Sequence, residues 1–206
     1  MISPNKRLCT WREPTELASK LVEYWGEEGM IWLDGDGSAK GRWATLAVDP
    51  IKHICCHGLP HEKNASNPFN ALRKLDPGHW TGWLSYEAGA WVEPQNPWKS
   101  DVMSTLWLAC HDPILRFDLQ EHKLWVEGCD IKRLKETINF IESIPINNVD
   151  KNNSKEFTRL SIPIKNWQWV HENTNYANNV QLIKDLISKG DIFQANLSLC
   201  GTTTIS

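Results

Sequence analysis

Between residues 30 and 128 the chain breaks into short apolar runs, each closed by turn residues. MIWLD (30–34) runs into GDGSAKG, RWATLAV (42–48) ends at Asp49-Pro50, and IKHICC (51–56) ends at Gly58 and Pro60. TGWLSYEAGAW (81–91), STLWLAC (104–110), PILRFDL (113–119) and KLWVEG (123–128) follow. Runs of this length, rich in β-branched and aromatic residues and punctuated by Gly, Pro and Asp, are strand signals. So many strands in succession leave little room for the crossover helices a parallel sheet requires. The last two runs, with QEH between them, predict a hairpin.

Helices are few. In PTELASKLVEYW (14–25), Leu17, Leu21 and Trp25 recur at helical spacing and Pro14 suits a first turn. NPFNALRKL (67–75) predicts a short helix with Asn67 as cap and Pro68 at its first position. Asp130 caps a helix in which Ile131, Leu134, Ile138 and Ile141 share a face. Antiparallel sheets with helices packed on them make an α+β fold over residues 1–144. Residues 145–166, dominated by Asn, Lys, Asp and Ser, lose all periodicity and are expected to be a linker or exposed excursion. A further helix then carries Tyr176, Val180, Ile183, Leu186 and Ile187 on one face and stops at Gly190, which takes the C′ position. From Ile192 the residues alternate, which predicts a strand with Phe193, Ala195, Leu197 and Leu199 on one face and Gln194, Asn196 and Ser198 on the other. That polar row suits either an edge strand facing solvent or a polar cavity.

A net charge of -3 argues against a dedicated nucleic-acid binder, which usually presents a basic patch. The sequence contains no apolar run long enough to span a bilayer and no secretory h-region, so the expected compartment is the cytoplasm. Six irregularly spaced cysteines are expected to stay reduced there. Twelve scattered tryptophans read as packing residues. His53, Cys55, Cys56, His57 and His61 are potential zinc ligands, but a strand would point Cys56 away from the others, and ordinary strand residues are the favoured reading. Glu87 and Glu93 are an acid/base pair only if a cleft joins them, and a solvated or capping role is favoured.

NYANNVQLIKDLISKGDIFQANLSL resembles the opening of the catalytic domain of chorismate-binding enzymes, with Gly190, Asp191, Phe193, Gln194, Asn196, Leu197 and Ser198 as the matching positions. IWLDGDGSAKGRWATLAVDP and TGWLSYEAGAWVEP are similar to segments of that family's N-terminal domain, so the resemblance runs from about residue 14 to residue 200. It implies amination of chorismate with ammonia from a glutamine amidotransferase subunit, with Mg²⁺ assisting departure of the C4 hydroxyl. No cofactor is assigned within these residues; Mg²⁺ belongs to the complete family enzyme. Tyr86-Glu87-Ala88 looks more like the aminodeoxychorismate branch, which leads to para-aminobenzoate and folate, than like the anthranilate branch of tryptophan synthesis.

The resemblance also implies that Gly190, Asp191, Gln194, Asn196 and Ser198 face the substrate domain. It implies no catalytic and no metal-binding residue here, because the family's basic, metal-ligating and Pro-Ile-Lys-Gly-type motifs come later in the chain. Pro163-Ile164-Lys165-Asn166 lies before the Gly-Asp segment and does not match that motif. The expectation is therefore a truncated large subunit, inactive alone. Family members often hold tryptophan through a Leu-Leu-x-Ser segment of the N-terminal domain. The matching positions, Trp32, Leu33, Asp34 and Gly35, make Leu33, Asp34 and Gly35 the candidate effector residues. Glycine at position 35 supplies no hydroxyl to such a ligand, so weak or absent tryptophan binding is expected. A different class of reading is a non-enzymatic module that binds a small effector or a glutaminase.

Overall fold

The computed structural model describes residues 4–145, 167–169 and 173–204. The chain divides into two compact units, 1–148 and 149–206. The fold is α+β.

The first unit contains β1 (Asn5–Cys9), α1 (Pro14–Trp25), β2 (Ile31–Leu33), β3 (Trp43–Ala47), β4 (Lys52–Cys56), α2 (Pro68–Arg73), β5 (His79–Leu84), β6 (Leu106–His111), β7 (Ile114–Asp118), β8 (Lys123–Gly128) and α3 (Ile131–Ser143). A five-stranded sheet runs β1-β8-β7-β3-β2 and a three-stranded sheet runs β4-β6-β5. All their pairings are antiparallel. The expected hairpin is β7–β8, closing at Asp118↔Lys123.

Period-two alternation divides the large sheet into two chemically distinct faces. Across the strands Ala44 lies opposite Phe117 and Phe117 opposite Leu124, while Leu46 lies opposite Leu115 and Leu115 opposite Val126. These six are buried with Leu17, Ala18 and Leu21 of α1 and Leu134 and Ile141 of α3 in one core cluster. Each large side chain so buried contributes on the order of 1.5–3 kcal/mol. The opposite face is polar and aromatic: Glu127 pairs with Lys6 at 2.9 Å, Lys6 lies over the Trp125 ring, and Trp125 meets Trp43 at 6.1 Å.

The helix ends follow the expected chemistry. Asn67 Oδ1 accepts from the amides of Phe69 and Asn70, and Asp130 Oδ1 accepts from those of Lys132 and Arg133. Both pairings satisfy donors that a first turn leaves unpaired. Ile131 departs from its expected face and is 45 % exposed, since at the first helical position it precedes the turn that reaches the sheet.

Two further expectations change. β1 is an additional strand; NKRLC carries one apolar face too short for a periodic signal, and β8 supplies its ladder. Residues 81–91 are not one strand. β5 stops at Leu84, Ser85 N–H still donates to Thr105 O, and Ala88 N–H donates back to Ser85 O. A 3₁₀ helix over Tyr86–Trp91 follows, which buries the small side chains of Ala88 and Ala90.

In the second unit, β9 (Gln168–Trp169) pairs with β10 (Gly201–Thr202). Between them lies α4 (Asn173–Lys189). It ends as expected at Gly190, where φ is +80°, Gly190 N–H donates to Ile187 O and Asp191 N–H to Leu186 O. Those two bonds are the Schellman closure, which a residue without Cβ enters at least cost. Residues 146–166, which hold the expected linker except Pro145 and include Pro163–Asn166, lie outside the described residues.

Candidate functional site

The candidate effector positions lie at the end of β2, Leu33, and in the β2–β3 loop, Asp34 and Gly35. Leu33 is 55 % exposed. Asp34 Oδ1 accepts from Gly35 N–H at 2.9 Å. The loop is tied by its own polar groups: Gly37 N–H donates to Gly41 O, Ser38 N–H donates to Asp36 Oδ1, and Gly41 N–H donates to Ser38 Oγ. The Ser38 bonds hold the Asp36 carboxyl below its ordinary pKa.

Gly35 approaches the far side of the loop so closely that a Cβ there would collide with the backbone oxygens of Gly41 and Trp43. The missing serine is therefore more than an absent hydroxyl, because this backbone has no space for one. Gly35→Ser should destabilise the unit by about 1–3 kcal/mol, the usual range for overpacking. It should give no gain in tryptophan affinity by calorimetry. Unchanged stability together with new tryptophan binding would contradict the steric reading.

The next segment is locked from below. Arg42 forks onto Asp118, with Nε–Oδ1 at 2.9 Å and Nη2–Oδ2 at 2.5 Å. Asp118 is 2 % exposed and also accepts from the amides of Gln120 and Glu121. Its pKa is pulled down to about 2, chiefly by the Arg42 hydrogen bond. At the other end of β3, Asp49 has φ +52°, a conformation few non-glycine residues adopt. Arg133 holds it there, donating from Nη2 to Asp49 O at 2.6 Å and pairing with the Asp49 carboxylate at 2.9 Å. Arg42 and Asp49, both within the stretch that resembles the family's N-terminal domain, are thus fastenings of the scaffold.

The Gly190–Ser198 segment is the second candidate. No residue of 192–200 joins a sheet ladder among the described residues, so the expected strand from Ile192 is not formed. A strand needs a partner for its amides and carbonyls, and the ladder begins only at Gly201. The expected apolar face is not buried either. Phe193 is 93 % and Leu199 38 % exposed, with only Ile192 and Leu197 half-buried. Asp191, Gln194, Asn196 and Ser198 are all exposed. Tyr176 Oη donates to Leu197 O at 3.4 Å. On α4, Tyr176, Val180, Ile183 and Leu186 are half-buried, while Ile187 is exposed.

The remaining candidates are dispersed. Cys56 is buried while His53 and Cys55 are exposed, the split that strand geometry predicts. Cys55 Sγ meets His57 Nε2 at 3.0 Å, but no three His, Cys, Asp or Glu side chains converge to hold a metal among the described residues. Glu93 serves the backbone turn after the 3₁₀ helix: its carbonyl accepts from Trp98 Nε1 and its carboxylate from Asn96. All six cysteines are free thiols. No described helix is long and apolar enough to cross a membrane.

Residues 10–206 match the chorismate binding enzyme family. The chain belongs to that family. An anthranilate synthase component I-like protein of Synechocystis sp. (strain ATCC 27184 / PCC 6803 / Kazusa) is 30 % identical over 211 residues, covering 91 % of this chain and 41 % of the relative. The chain thus spans about two-fifths of the length of that curated relative. The family match covers both units, the β2–β3 loop and the Gly190–Ser198 segment.

Proposed function

We propose that this chain supplies the sheet scaffold and the opening of the substrate domain of a chorismate-aminating large subunit, of the aminodeoxychorismate kind. The family match over residues 10–206 supports chorismate as the substrate class. The geometry of Gly35 supports the branch: a loop with no space for a serine hydroxyl suits an enzyme that tryptophan does not regulate. In the same reading a glutamine amidotransferase subunit delivers the ammonia. Mg²⁺, held by residues outside these 206, stabilises charge on the departing hydroxyl. The exposed row Gln194, Asn196 and Ser198 faces the substrate side once a partner strand orders it. The site of action is the cytoplasm.

The second reading, an anthranilate synthase large subunit, draws on the anthranilate synthase component I-like relative. Product analysis separates the two. Protein purified from its native source, with every residue and subunit that accompanies it, receives chorismate, ammonia and Mg²⁺. We expect 4-amino-4-deoxychorismate; anthranilate would support the second reading, and neither product would overturn both. The 206 residues expressed alone should give no product, and turnover by them would contradict the assignment of the metal and catalytic groups to other residues.

A further inference from the structure

The Asp49-Pro50 turn borders a cleft of about 350 Å³ in the first unit, a volume within the range of small-ligand sites. It lies at the opposite end of β2 and β3 from Gly35: Ile31 pairs with Ala47 beside the cleft, whereas Leu33 pairs with Thr45 towards the loop. Two indoles, Trp25 and Trp107, line it together with Glu28, Asp49 and His53.

The frame of the cleft is braced from beneath. Arg133 Nε donates to Asp112 O at 2.6 Å while its Nη2 holds Asp49. On the other side Gly29 O accepts a hydrogen bond from His111 Nε2 at 3.0 Å. His111 is 1 % exposed, and burial, the largest influence, holds its pKa down. Because a carbonyl only accepts, Nε2 is the donor in this contact. Both loops that frame the opening are therefore fixed before anything binds, which lowers the ordering cost of binding.

The charges do not balance. Asp49 is compensated by Arg133. The nearby cation on β4, Lys52, is committed to Asp76 at 3.0 Å. Glu28 has no ion pair or hydrogen bond among the described residues. The result is one uncompensated carboxylate beside two electron-rich indoles. Three ligating side chains do not converge here, so the arrangement does not suit a chelated metal ion. Carboxylate with indole is the combination that attracts a diffuse organic cation.

We propose that this cleft binds a small organic cation, an ammonium group whose substituents contact the Trp25 and Trp107 indoles while its charge faces Glu28. Choline is a suitable probe, and 3,3-dimethyl-1-butanol is its neutral counterpart of the same shape. Both are titrated into ¹⁵N-labelled chain while the indole N–H signals are followed, with Trp25→Phe and Trp107→Phe assigning two of the twelve. Choline should shift those two selectively. The neutral isostere should bind at least several-fold more weakly. Glu28→Gln, at an exposed position that leaves the fold intact, should weaken choline by about three- to fivefold, the scale of one exposed charge pair. Overturning results are no shift at either indole, equal shifts at all indoles, an equal response to the isostere, or an unchanged affinity in Glu28→Gln.

Discussion

Phe117→Ala should destabilise the sheet unit by about 3–5 kcal/mol, the range for removing a large buried aromatic ring. Phe117 is fully buried near the end of β7. It lies between Ala44 of β3 and Leu124 of β8, with Trp11 edge-on at 5.9 Å. Its row joins the sheet to α1 and α3 in one cluster, and the small Ala44 beside it cannot fill the space. Urea unfolding should show a lower midpoint with an unchanged slope. A loss below about 1 kcal/mol would mean that the site collapses around the deletion.

Arg133→Met should cost about 2–4 kcal/mol although only one charged group is removed. The substitution keeps the length and apolar stem of the side chain. It leaves the carbonyls of Asp49 and Asp112 without the donors they use and the Asp49 carboxylate without its partner. Partial exposure of Asp49 limits the ionic share, so most of the loss comes from the two carbonyls. Arg133→Lys should recover little, because an ammonium lacks the planar fork that reaches both. Full recovery by lysine would show that charge alone holds the turn.

The strands of the large sheet were legible because one face is buried and the other polar, so Ala44, Leu46, Leu115, Phe117, Leu124 and Val126 alternate with charged and aromatic neighbours. The caps at Asn67 and Asp130 were legible for the same local reason: their side chains satisfy amides only two and three residues away. Residues 81–91 misled because Trp83 to Trp91 keeps an apolar content that either a strand or a 3₁₀ turn can bury. The 3₁₀ turn closes on itself, with Ala88 N–H on Ser85 O and Val92 N–H on Gly89 O, and Trp91 Nε1 donates to Gly58 O, which is distant in sequence. Residues 192–199 alternate as a strand should, but alternation records only what a strand would bury, and no ladder reaches them here. Of the effector loop, the sequence showed that Gly35 lacks a hydroxyl. The close approach of the Gly41 and Trp43 carbonyls, which makes glycine necessary, depends on a loop closure no local pattern encodes. Arg133 and His111, which fasten the cleft, gave no signal at all, since their partners Asp49 and Gly29 are backbone groups more than eighty residues away.

The difference in order between the paired strands of the sheets and the motif-bearing segment, which joins no ladder among the described residues, is read most directly by hydrogen exchange. In the 206-residue chain, amides of 44–47 and 106–111 should be protected near the level of global unfolding, since both stretches are paired within sheets. Amides of 192–199 should exchange orders of magnitude faster, at rates close to those of exposed chain. Strong and equal protection in both regions would contradict this. It would show that Gln194, Asn196 and Ser198 are already ordered within these residues, with no further strand required to complete the site.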